Sequence, residues 1–303
     1  MLTGMAPAAS DSIRSNPAIR QFGRLFAQPK RLAIVCLALL AALGWVYLGL
    51  MLAGIGSGSG TPVPDTLAAR IGLSGWSRAA FDALCQPTFG TAAGGAAAAA
   101  AIVSMWIAMV AAMMLPTAGP MILTYAEMAG TASRRGDRAA SPLLMIAGYG
   151  LVWAGFAVIA AALQLALTRA ALLDSSMASA SALFSGAVFA GAGVYQFSAL
   201  KEACVTLCQR PAPFFATNWP RQPRDVFRLG VRQGLYCLGC CWAMMLVMFA
   251  VGVMNVIWMA VLGAIMAAEK IAATTRFSRA TGVVFLVVGI GFITAAVAAH
   301  WPG

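Results

Sequence analysis

The sequence predicts an all-α membrane protein, a polytopic bundle of about seven transmembrane helices with its N-terminus in the cytoplasm. Three observations carry this. Of 303 residues, 61% are hydrophobic and only 10% charged, against about 25% charged in an ordinary soluble domain. The apolar residues fall in runs long enough to cross the roughly 30 Å hydrocarbon layer of a bilayer. The 20 Lys and Arg residues alternate between connecting segments instead of spreading evenly.

Residues 1–31 form a basic tail with Arg14, Arg20, Arg24, Lys30 and Arg31 against Asp11. The run 32–55 is too long for a signal-peptide core, and no small-x-small cleavage site follows, so it reads as an uncleaved first span. Residues 56–95 are a Gly/Ser/Pro-punctuated extracytoplasmic loop with Cys85 alone in it. Its middle, 68–84, has the pattern of a short interfacial helix.

The second span, 96–125, contains Pro116 and Pro120, which predict a kink and freed carbonyls. Arg134, Arg135 and Arg138 follow. Span three is 142–167 and span four 178–200, joined by a short link with Arg169. Residues 201–233 form a basic cytoplasmic loop whose four prolines, 211, 213, 220 and 223, argue against a regular helix in its middle.

Residues 235–268 are uncharged, 34 in all. As one helix they would run about 51 Å, well beyond a single crossing. Gly252 can end one helix and Asn255 can cap the next. The run therefore divides into spans 234–253 and 256–270, and the last span is 281–299. With that division the Lys and Arg counts are 17 on the N-terminal side and 3 on the other. The positive-inside rule then sets the N-terminus in the cytoplasm. The net charge of +11 belongs to those loops and to anionic lipid, not to nucleic acid.

Within this bundle the chemistry is concentrated in sulfur. The stretch 236–248 holds Cys237, Cys240, Cys241, Met244, Met245 and Met248. Positions 237, 241, 244 and 248 fall on one helical stripe, and Cys240 flanks it. Cys204 and Cys208 stand at i and i+4 just past span four, at the same predicted surface, so each motif can present two sulfurs together. Thiolates and thioethers favour Cu(I), and thiolates also suit Zn(II). The cytoplasm keeps thiols reduced, which favours metal binding over disulfides. With the single His300 a multi-histidine site is excluded, and so is a Ser/His/Asp arrangement.

Cys36 and Cys85, standing alone, read as small hydrophobes. Met105, Met109 and Met113 form a second row on span two, with Met114 beside it. For each of these, packing is the stronger reading, although Met113 and Met114 lie where the Pro116 kink would expose carbonyls. Lys201, Glu202, Glu269 and Lys270 sit at predicted inner span ends, where snorkelling to the headgroups makes them anchors.

Five motifs together resemble a known family. They are W-I-A-M-V-A-A-M-M-L-P (106–116), G-Y-x-x-x-W (148–153), Y-Q-x-x-x-L-K-x-x-C-x-x-x-C (195–208), C-L-G-C-C-W-A-M-M (237–245) and M-N-V-I-W-M ending in E-K (254–270). The chain resembles the predicted metal-binding integral membrane protein family, bacterial proteins often labelled copper chaperones. Ala199 stands where that family typically has Pro, and residues 1–95 match none of its motifs. The resemblance implies metal binding at Cys204, Cys208, Cys237, Cys240 and Cys241, with Met113 and Met114.

The expectation is therefore a bacterial inner-membrane protein that binds Cu(I) at a cytoplasm-facing Cys cluster. It would pass the ion along methionines such as Met244 and Met248, with a soluble metallochaperone or membrane complex as partner. Three alternatives stand beside it. One is a structural Zn(II) site of four cysteines, and another a thiol-redox protein using Cys237 and Cys240. The third is a structural or assembly subunit of a membrane complex.

Overall fold

Every regular element among the described residues is a helix, as the composition predicts. A computed structural model of the chain describes residues 29–56, 96–136, 140–173, 181–220, 222–253, 255–272 and 274–300. The N-terminal tail, the loop around 56–95 with Cys85, and the interfacial helix expected at 68–84 lie outside the described residues.

Helix α1 is Pro29–Gly56 and α2 is Ala96–Arg134. α2 runs past the expected limit at 125 because nothing in 126–134 breaks a helix. Its prolines are accommodated locally. Pro116 cannot donate to the Ala112 carbonyl, and the indole Nε1 of Trp45 on α1 donates to that oxygen instead, at 3.2 Å. α3 is Pro142–Arg169, opened by Ser141, whose Oγ accepts from the Leu143 amide.

The span expected at 178–200 is two helices. α4 is Ala182–Tyr195 and α5 is Ala199–Gln209, bent 65° from one another. Ser198 ends the first direction and starts the second, its Oγ accepting from the Lys201 amide at 3.1 Å. The basic segment after it is also more helical than its prolines suggest. Pro211 opens α6 (Pro211–Thr217) and Pro223 opens α7 (Pro223–Leu246). Both occupy the first helical turn, where a missing N–H costs nothing.

A turn at Val247 separates α7 from the short α8, Met248–Val251. Then comes the fold-back: Gly252 takes φ 99°, and Asn255 Oδ1 accepts from the Trp258 amide at 3.2 Å to start α9, Val256–Ile271. α10 is Thr275–His300.

Among the described residues, five stretches are long and apolar enough to cross a membrane: α1, α2, α3, α7 with α8, and α10. The bent pair α4–α5 makes a sixth if it is one broken span. α1 packs on α2, α3 on α7, and α4 on α10. At the α3–α7 crossing the two backbones come close together. A side chain at Gly148 would strike the Phe227 carbonyl, and one at Gly230 would strike that of Met145. This contact sets the depth of Tyr149 and Cys237, which come next on the two helices. The core between α2, α3 and α7 is aromatic and sulfurous, with Trp106, Trp153, Tyr125, Tyr149 and Met109 fully buried.

Candidate metal centre

The α7 sulfurs of Cys237, Cys240, Cys241 and Met244 are all buried, as is Met248 at the start of α8. The sulfurs of Cys237, Cys240 and Cys241 lie within 4.8 Å of one another. Cys240 and Cys241 share a hydrogen bond at 3.2 Å, and the Cys240 thiol also reaches the Cys237 carbonyl at 3.1 Å. With metal–sulfur bonds of about 2.3 Å, two sulfurs on one ion stand at most about 4.6 Å apart. The cluster therefore fits a single soft ion with small side-chain rotations.

The two cysteines of α5 come to the same place. Cys204 is buried with its Sγ against Gly239, so close that a Cβ there would sit 2.6 Å from the sulfur. Cys208, four residues on along α5, is half-buried. It also shares with Cys237 the lining of a partly open cavity of about 40 Å³. Two cysteine motifs distant in sequence thus meet at one end of the bundle, as their common predicted surface requires. Gly239 is what makes room for the contact, and Tyr195 Oη donates to its carbonyl.

Around Cys237 the structure assembles groups that the sequence reading did not assign. Tyr149 Oη is 2.9 Å from Cys237 Sγ and also donates to the Met114 carbonyl at 3.2 Å. Lys270 Nζ donates to Cys237 Sγ at 3.0 Å and to Thr117 Oγ1 at 2.7 Å. The Lys270 ammonium thus sets a positive charge against the sulfur, and metal binds a sulfur of this kind as the thiolate.

The anchoring expected of the span-end charges is corrected for three of them. Lys201 and Glu269 are each 1% exposed and pair at 2.7 Å, and Lys270 is 9% exposed. Snorkelling fails because α5 and α7 pack over the end of α9 and bury these groups between helices. Lys201 Nζ also donates to the Cys240 carbonyl at 2.5 Å, which ties the ion pair to the backbone of the cluster. Gln209 Nε2 bonds the Glu269 and Ala272 carbonyls at 2.7 and 2.5 Å. Glu202, by contrast, is exposed, with Arg279 at 4.0 Å.

The methionines divide. Met244 follows the cysteines on α7, but the turn at Val247 interrupts the helix before Met248. On α2, Met113 packs its side chain toward Gly263 of α9, where a Cβ would lie 3.7 Å from its Cγ. Met114 is buried, and its carbonyl accepts from Thr117 as well as from Tyr149. Cys36, half-buried on α1, packs at the edge of the core.

One signal in the sequence pointed to the missed groups. The E-K pair closing 254–270 was visible, but its burial was not. Tyr149 stood in the G-Y-x-x-x-W motif with no assigned role.

Residues 103–292, more than half of the chain, match the model of a family described as PpoB2, copper chaperone. The match covers all five motifs quoted above. No curated protein and no solved structure matches the chain.

Proposed function

The chain belongs to the PpoB2 copper chaperone family, and from that premise we propose that it is a multi-pass protein of the bacterial inner membrane that takes Cu(I) as its cargo. The single observation that carries the proposal is the convergence of three buried thiols within 4.8 Å. Soft thiolates with no histidine nearby suit a soft monovalent ion. Cys237, Cys240 and Cys241 form the primary site, and Cys204 and Cys208 stand beside it as exchange ligands.

Seven spans, with 1–31 and 201–233 cytoplasmic and 56–95 outside, is the arrangement we propose for the bilayer. The long apolar helices support it, as do outward side chains such as Ile257, 76% exposed. α9 has 16 residues, about 24 Å of helix, and as a span it depends on shielding by its neighbours. On this orientation the thiols face the cytoplasm, where a soluble metallochaperone delivers or collects the ion. Met113, Met114, Met244 and Met248 offer weaker thioether positions along the bundle for its onward movement.

Metal analysis of the reduced, detergent-purified protein tests the reading. Wild type retains about one Cu(I) per chain, the count that a single cluster of three thiolates implies. Cys→Ser at 237, 240 and 241 together removes it, and unchanged copper in that variant defeats the proposal.

A Zn(II) site of four sulfurs is favoured by one observation, the place of Cys208 in the cavity that Cys237 lines. X-ray absorption separates the two: four sulfurs near 2.3 Å around zinc support the structural site, and two or three around copper support the cargo site.

A further inference from the structure

The cavity beside Cys237 contains more hydrogen-bond donors than its own walls use. It is lined by Thr117, Tyr149, Cys208, Gln233, Cys237 and Lys270, among others. Gln233 stands one turn before Cys237 on α7, on the same face. It is 2% exposed, and its amide nitrogen has no hydrogen-bond partner among the described residues. An unmet buried donor of this kind ordinarily costs about 1–3 kcal/mol. An apolar residue of the same shape would avoid that cost.

Lys270 adds to the surplus. An ammonium has three N–H donors, and two are used, on Thr117 and Cys237. The third has no acceptor among the described residues. The walls thus present two groups with free N–H, one of them cationic, in the cavity that Cys237 lines. Of the other polar groups in the lining, Thr117 and Tyr149 donate to the Met114 carbonyl, and Gln209 donates to those of Glu269 and Ala272.

We propose that this cavity receives the sulfur of an anionic thiolate carrier that brings Cu(I) to Cys237, with Gln233 and Lys270 donating to that sulfur. The inference rests on the copper reading above and specifies how the ion arrives. A volume of about 40 Å³ admits the tip of a cysteine side chain and leaves the body of the carrier outside. An anionic sulfur can accept from both donors and still hold the metal, and it is the soft ligand that Cu(I) favours.

The exchange is associative and involves no electron transfer. The Cu–S bond to Cys237 forms first, and the carrier's Cu–S bond then breaks as Cys240 or Cys241 binds. The proton lost by the incoming thiol leaves with the carrier thiolate, and copper stays monovalent. Gln233 is a positioning residue in this scheme, because it touches the carrier and not the bound ion.

Transfer kinetics on the full-length reduced protein in detergent provide the test. Cu(I) is supplied as its glutathione complex, as a complex with a short peptide bearing a C-x-x-C pair, and as its neutral acetonitrile complex. Gln233→Leu keeps wild-type copper at equilibrium and a wild-type rate from acetonitrile. From a thiolate donor it slows by about tenfold, the loss of one hydrogen bond to a charged group.

Slowing with glutathione alone identifies a small-molecule carrier, and slowing with the peptide alone identifies a protein cysteine. Gln233→Glu, which keeps the shape and sets a carboxylate against the incoming thiolate, slows transfer further. It carries the test if the Leu variant fails to fold. Equal rates for variant and wild type from every donor overturn the inference, as does equal slowing from acetonitrile and thiolates. Either result leaves the copper reading standing. Failure of wild type to retain Cu(I) at all overturns both.

Discussion

Lys270 Nζ lies 3.0 Å from Cys237 Sγ, so the last turn of α9 delivers a buried cation to the first thiol of the cluster on α7. The two residues are far apart in sequence and come from helices joined by a tight fold-back. Their meeting depends on Gly252 and Asn255 reversing the chain at that point. The cation supplies a counter-charge that the thiolates need in a site with little water.

Replacing Lys270 by Met should weaken Cu(I) binding by at least about tenfold, since a hydrogen bond from a charged donor is lost at a buried anion. Competition against a chromophoric Cu(I) chelator measures this. Unchanged affinity would show that Lys270 serves Thr117 and packing alone.

Gly239 is the contact between α5 and the cluster helix. Gly239→Ala should lower stability by about 1–3 kcal/mol, because its Cβ would overlap Cys204 Sγ and the backbone must shift. Adding Cys204→Ala removes the sulfur and leaves Cβ at 3.6 Å, an ordinary contact. The double variant should then recover most of the loss in a thermal unfolding cycle.

Lys201 and Glu269 form a buried ion pair that also holds the Cys240 carbonyl. Removing either partner alone, as Lys201→Met or Glu269→Met, should cost about 3–5 kcal/mol by stranding a charge. Removing both should cost much less than the sum. The cycle is read in melting temperatures, and additive losses would mean that the pair is not coupled in solution.

Trp45 caps the carbonyl that Pro116 leaves free. Trp45→Phe keeps most of the ring and loses the indole donor, so the expected loss is about 1–3 kcal/mol. A companion Pro116→Ala, which gives the Ala112 carbonyl its helical partner back, should reduce the penalty of Trp45→Phe.

Several of these features were legible in the sequence because they depend on neighbours a few residues away. The sulfur stripe at 237, 241, 244 and 248 follows from helical spacing. The reversal at Gly252 and Asn255 follows from cap chemistry, and the freed Ala112 carbonyl from the donor that Pro116 lacks. Where local signals were misread, they were also local. Ser198 has the residue type of a cap, but the long apolar run around it hid the bend. Pro211 and Pro223 open helices, and loop composition alone does not distinguish that from breaking one.

The sequence by itself determined that this chain is helical and apolar, that its thiols fall in two motifs, and which family it resembles. Only the tertiary structure decided that Lys201, Glu269 and Lys270 are buried, that Tyr149 and Lys270 flank Cys237, and that Cys204 packs on Gly239. The physical reason is range. Helical periodicity and capping are written in residues a few positions apart, whereas the burial of a charge depends on how closely other helices approach. In this chain that approach is set by clearances at Gly148, Gly230 and Gly239, and those depend on partner helices from distant parts of the sequence.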